Sequence, residues 1–176
     1  MSVLFALLFC SALVGLDQLF KFLVIEYLKP IEYIDLINGV LRFRYVENTG
    51  AVFGSFATQT MLLTVFSVVL LVFTIAFLIK NKDKSKFVNI CLLLMIAGGL
   101  GNIIDRIRLK YVIDFIEPVF VDFAVFNFAD CLITLGAFAL IGYLLVDIIK
   151  DFKKTRETKV VSVNTDTDSS DSDGTV

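Results

Sequence analysis

The sequence predicts an all-α membrane protein, four transmembrane helices with a small extracytoplasmic β element after the first. Three observations predict it. Of its 176 residues, 57% are hydrophobic, with a mean hydropathy of +0.84, whereas a soluble domain is about 45–50% apolar. Four apolar runs, at about 3–25, 60–79, 87–104 and 129–149, each come close to the ~20 residues that a ~30 Å hydrocarbon core requires. Between the first two runs the period changes, and LRFRYV alternates apolar and basic residues as a strand does.

The first run is read as a retained helix. Only Met1 and Ser2 precede it, and Asp17 and Lys21 interrupt its second half, which is not the plan of a cleaved signal peptide. Asp17 and Lys21 are four apart and share a helix face, a neutralising pair near one membrane surface. Pro30 then breaks the helix, and residues 28–57 form the β element, closing on the polar turn ENTGAVFG at 47–54. Asn48 and Gly50 in that turn can offer an amide and a backbone N–H to a peptide. The second run is charge-free scaffold. The lysine-rich KNKDKSK leads into the third, and the fourth ends in KDFKKTRETK. The domain is taken as 1–159. Residues 160–176, all Ser, Thr, Asp, Asn, Gly and Val, are expected to be a disordered polar tail outside the chemistry. Basic residues at 80–86 and beyond Lys150 predict both termini in the cytoplasm and residues 26–57 and 105–128 outside.

Composition removes several function classes. The chain has no histidine, which excludes Ser-His-Asp and Cys-His nucleophiles and HExxH zinc sites. Cys10, Cys91 and Cys131 have no CxxC spacing and read as small buried hydrophobes. No cage of oxygen ligands stands at a defined spacing, so neither metal nor cofactor is expected.

The remaining polar residues converge. Under the predicted topology Asp17, the face Asn102–Asp105–Arg106, the connection holding Asp114, and the pair Asn127–Asp130 all reach the outer end of the bundle. Gly98, Gly99 and Gly101 let neighbouring helices approach there. Ionisable residues beside bilayer-spanning segments mark function. Two carboxyls in close contact cannot both ionise cheaply, so one keeps a proton and the pair works as acid and base. Asp114 and Asp130 are taken as that pair, suited to hydrolysing a peptide bond. Asp105 is expected to pair with Arg106, Lys21 or Asn102, and Asp122 to be solvated. A small ion- or proton-coupled transporter is the alternative, against which stand the absence of inverted repeats and of midplane polar groups.

At these residues the chain resembles the bacterial lipoprotein signal peptidases (signal peptidase II), from Asp17 to about Gly142. DQLFK at 17–21, ENTGAVFG at 47–54, GGLGNIIDR at 98–106, VIDF at 112–115 and FNFAD at 126–130 recur in that family's order. The resemblance implies an aspartic endopeptidase of the bacterial inner membrane that cuts before a diacylglyceryl-modified cysteine. Its partners would be lipidated prolipoproteins and membrane lipids, with no nucleic acid, and it would act as a monomer. By the same resemblance Asp114 and Asp130 match the catalytic dyad. Asp17, Asn48, Asn102, Asp105, Arg106 and Asn127 match the polar positions that orient the dyad and bind substrate, and Lys21 and Gly50, inside the first two motifs, are taken with them as supporting residues. Val52, Gly54 and the stretch EPVFVDFAV at 117–125 depart from the family pattern.

Overall fold

The computed structural model describes residues 2–50, 56–81 and 85–170, with 56–60 and 153–170 as backbone only. Residues 51–54 of the expected turn at 47–54 and part of KNKDKSK lie outside the described residues. Among the described residues, four helices are long and apolar enough to cross a membrane, with spans Val3–Ile31, Met61–Asn81, Lys86–Leu109 and Phe128–Phe152. The protein is a multi-pass membrane protein.

Helix α1 (Val3–Leu23) opens on Ser2, whose hydroxyl accepts the Phe5 N–H at 3.2 Å, an N-cap that satisfies one orphan donor. It passes without a break into a π-helical turn, Val24–Leu28, and a 3₁₀ turn, Lys29–Ile31. Pro30 sits near the start of that last turn, where its missing N–H is tolerated, so the first span runs further than the proline alone suggests. Glu32, at φ 67°, turns the chain into the sheet.

Strand β1 (Tyr33–Ile37) pairs antiparallel with β2 (Leu41–Asn48), and β2 with β3 (Val112–Pro118), in the order β1-β2-β3. The third strand occupies what the sequence reading treats as an outer connection, and it carries Asp114. Its register sets Val46 opposite Asp114 and Asn48 opposite Val112. Successive residues of β3 point to opposite faces. Ile113 and Phe115 join Val24 and Leu28 in a small core, leaving Asp114 to the other side.

Helix α2 (Phe56–Asn81) keeps apolar side chains such as Phe66, Val69 and Phe73 exposed, as a lipid-facing helix does. Helix α3 (Lys86–Leu109), capped by Ser85, is the buried one and packs on α1 and α2. Helix α4 spans Phe128–Ser170. At Gly98 a Cβ would meet the Ala129 carbonyl and lie 2.8 Å from Ile133 Cγ1. Only glycine therefore lets α3 approach α4 this closely.

The chain divides into two units, Met1–Phe138 and Ala139–Val176. The first holds α1 to α3, the sheet, the start of α4 and every candidate site residue. The second is the continuation of α4, helical through residues 160–170, where the sequence reading expects no regular structure.

Candidate active site

The start of α4 brings the polar residues together because its orphan amides need acceptors. Asn127 precedes the helix and Asp130 is its third residue, and they cap each other. The Asn127 side-chain oxygen accepts the Asp130 N–H at 3.0 Å, and the Asp130 carboxylate accepts the Asn127 N–H at 3.1 Å. This is a capping box with Asn and Asp in place of the usual Ser/Thr and Glu/Gln. The intervening Ala129 N–H is taken by Asp17 from α1, at 3.0 Å. Asp17 thus ties the first span to the fourth.

Two asparagines bridge the two candidate acids. Asn127 Nδ2 donates to Asp114 at 2.6 Å and to Asn102 Oδ1 at 3.1 Å, while Asn102 Nδ2 donates to Asp130 at 2.8 Å. From β2, Asn48 Nδ2 donates to the other oxygen of Asp114 at 2.7 Å. Asn48 Oδ1 accepts the Gly50 N–H at 2.8 Å. Gly50 has φ +72°, a backbone conformation that glycine adopts freely. Asn48 thus bonds both Asp114 and the Gly50 N–H.

Behind this lies a buried ion cluster. Lys21 Nζ is 2.9 Å from Asp17 and 2.8 Å from Asp105, and it donates to Asn102 Oδ1 at 3.1 Å. All three ammonium protons are engaged, and both carboxylates are at most 2% exposed, so each charge has a partner as burial demands. Of the partners expected for Asp105, the structure selects Lys21. The oxygen of Asp105 that meets Lys21 also accepts the Ile113 N–H at 3.3 Å, and its other oxygen accepts Gln18 Nε2 at 3.0 Å. Because Lys21 and Asn127 both donate to Asn102 Oδ1, the Asn102 amide can face only one way, with its N–H₂ toward Asp130.

Burial pushes the Asp114 carboxyl up to about 6, and the Asp130 charge adds to the rise, against the hydrogen bonds from Asn48 and Asn127. A carboxyl so placed exchanges a proton near neutral pH.

Two cavities meet at Asp130. One, of about 620 Å³, contains Asp114 and Asp130 and is walled by Phe123, Phe126, Leu135 and Phe138. The other, of about 280 Å³, lies among Gly99, Asn102, Arg106, Asp130 and residues of α2 such as Leu71. Asp122 is exposed, as expected. The sequence reading missed Gln18, which bonds Asp105 and accepts from Arg108 at 3.3 Å. It also missed the wall at 123–126. Gln18 stands between Asp17 and Lys21 in DQLFK, and that adjacency is the only sequence signal it offers.

Residues 9–146 match the family model described as Signal peptidase (SPase) II. The chain is 38% identical over 130 residues to a lipoprotein signal peptidase of Streptococcus thermophilus (strain CNRZ 1066), covering 74% of this chain and 85% of that one. It is 40% identical over 129 residues to a lipoprotein signal peptidase of Streptococcus pyogenes serotype M5 (strain Manfredo), covering 73% and 85%. Among solved structures, it is similar to a bacterial membrane enzyme with TM-score 0.73 and 29% identity, over 83% of this chain and 90% of that one. A second bacterial membrane enzyme structure gives TM-score 0.74 at 29% identity, over 81% and 94%.

Proposed function

This chain belongs to the signal peptidase II family of lipoprotein signal peptidases, and on that premise we propose that it works as an aspartic endopeptidase with Asp114 and Asp130 as its dyad. The observation that carries the reading is the Asn127 bridge: one residue bonds both carboxyls, at 2.6 Å to Asp114 and at 3.1 Å to Asp130. Asp114, pushed up to about 6, holds the shared proton and donates it to the oxygen of the scissile carbonyl. Asp130 accepts a proton from water, whose oxygen attacks the carbonyl carbon. On breakdown of the tetrahedral diol, Asp130 passes its proton to the leaving amine and Asp114 recovers one from a hydroxyl, which restores the starting pair. The Asn48, Asn102 and Asn127 amides keep both carboxyls oriented, which is pre-organisation rather than proton transfer.

The substrate is a prolipoprotein already carrying diacylglyceryl on its cysteine, cut on the N-terminal side of that cysteine. The apolar walls of the 620 Å³ cavity support an acylated substrate. The lysines between α2 and α3 and after Lys150 favour a cytoplasmic side for both termini. The dyad then stands near the outer leaflet surface, where a lipid-anchored cysteine sits. Arg106, beside Asp130 in the smaller cavity, is placed to meet a substrate carbonyl.

The test is cleavage of a lipidated precursor by the purified chain. Asp114→Asn and Asp130→Asn should each lower the rate by roughly 10³-fold or more, and the double variant should be no worse than either. Full activity of one folded, inserted single variant would refute the dyad.

A further inference from the structure

We propose that a second apolar cavity, behind β3, is a binding site for one acyl chain of a bilayer phospholipid. It measures about 470 Å³, and of its ten lining residues only Tyr27 has a polar side-chain atom. A cavity with so few polar partners does not retain water. Its size lies in the range of ligand sites.

What fills it follows from where it opens. Leu23, Val24, Tyr27 and Leu28 form one wall and belong to the first membrane-spanning segment, while Phe43 and Phe115 of the sheet form the opposite wall. Leu23 and Tyr27 remain 39% and 68% exposed, so the mouth is continuous with the lipid-facing surface of that segment. The hydrocarbon at that mouth is the bilayer's own. The π-helical turn Val24–Leu28 supplies three lining residues, and such turns are frequent at functional sites.

The source is the bilayer rather than the substrate. Phe115 lines this cavity, whereas its neighbour Asp114 lines the one shared with Asp130, and consecutive strand residues face opposite ways. A substrate with its scissile bond at the proposed dyad has its chains on the far side of β3. This choice of source rests on the proposed dyad; occupancy by an acyl chain does not.

The chain contains no tryptophan, so a single introduced one reports alone. Phe43→Trp places it in the sheet wall, and Phe73→Trp on the lipid-facing side of α2 serves as control. In vesicles of phosphatidylcholine brominated on its acyl chains, emission from Phe43→Trp should fall roughly twofold relative to ordinary lipid, because bromine must reach contact distance. Aqueous iodide should leave it unchanged. If Phe43→Trp stays bright in brominated lipid while Phe73→Trp is quenched, the cavity holds no chain and the proposal fails. Quenching by iodide would mean a water-filled space and would also overturn it. Should a lipidated precursor peptide with unbrominated chains relieve the quenching, the site belongs to substrate and the phospholipid assignment fails. If Phe43→Trp does not insert, Phe115→Trp, in the same sheet wall and shielded from the bilayer at 5% exposure, gives the same readout.

Discussion

Asp114 is 2% exposed, and its carboxyl sits at about 6 against 3.8 for the free residue. Between those two values the folded chain holds a proton that the unfolded chain has released. Stability therefore falls as pH rises from about 4 to about 6 and stays lower above that window. Asp114→Asn cannot ionise, so its melting temperature should exceed that of the parent at pH 7–8, by on the order of 2 kcal/mol of stability. The two should converge near pH 4. Equal melting curves at both pH values would show that Asp114 is not strained by its burial. At this scale the sequence was largely legible. Asp17, Lys21, Asp105, Asp114 and Asp130 stand out because charge beside apolar runs is rare. Gln18 and the aromatic wall Phe123 and Phe126 do not, since a neutral amide and a phenylalanine offer no contrast to such a background.

Among the elements, α4 depends most on its first turn. Asn127 has two separable tasks, capping the helix and bridging the acids. Asn127→Ser keeps an oxygen for the Asp130 N–H but has no amide to reach Asp114 and Asn102. It should keep the cap, Ser and Asn being near-equal there, but lose about 1 kcal/mol or more with the two buried bridge bonds, together with most of its cleavage rate. Asn127→Ala should lose the cap as well, with about 1 kcal/mol more of stability gone. A fully active Asn127→Ser would remove the bridge from the mechanism. The helices were readable from hydropathy and strand β2 from the alternation in LRFRYV. Strand β3 was not. In VIDFIEP the residues flanking Asp114 are apolar on both sides, because Ile113 and Phe115 face the core, and Val112 is buried too. Its partner β2 lies two spans away in the chain, so no local turn signal announces the pairing.

For the molecule as a whole, the pair predicts how activity follows pH. Cleavage should be bell-shaped, with apparent pKa values that belong to the two carboxyls jointly. The acidic limb appears when both are protonated and no base remains. The alkaline limb appears when the shared proton leaves, at or above about 6 as Asp114 implies, and higher once bound substrate excludes water. A rate still rising at high pH, with folding verified at each point, would rule out a required protonated aspartate. The capping of α4 has a further result. The Asp130 carboxylate that helps close its first turn is also one half of the proposed dyad, so this one turn acts as a fuse. Helix ends open at lower free energy than the whole fold. Warming the protein should abolish cleavage several degrees before circular dichroism registers any loss of helix, and cooling should restore it. An enzyme built this way switches off while still folded and seated in its membrane.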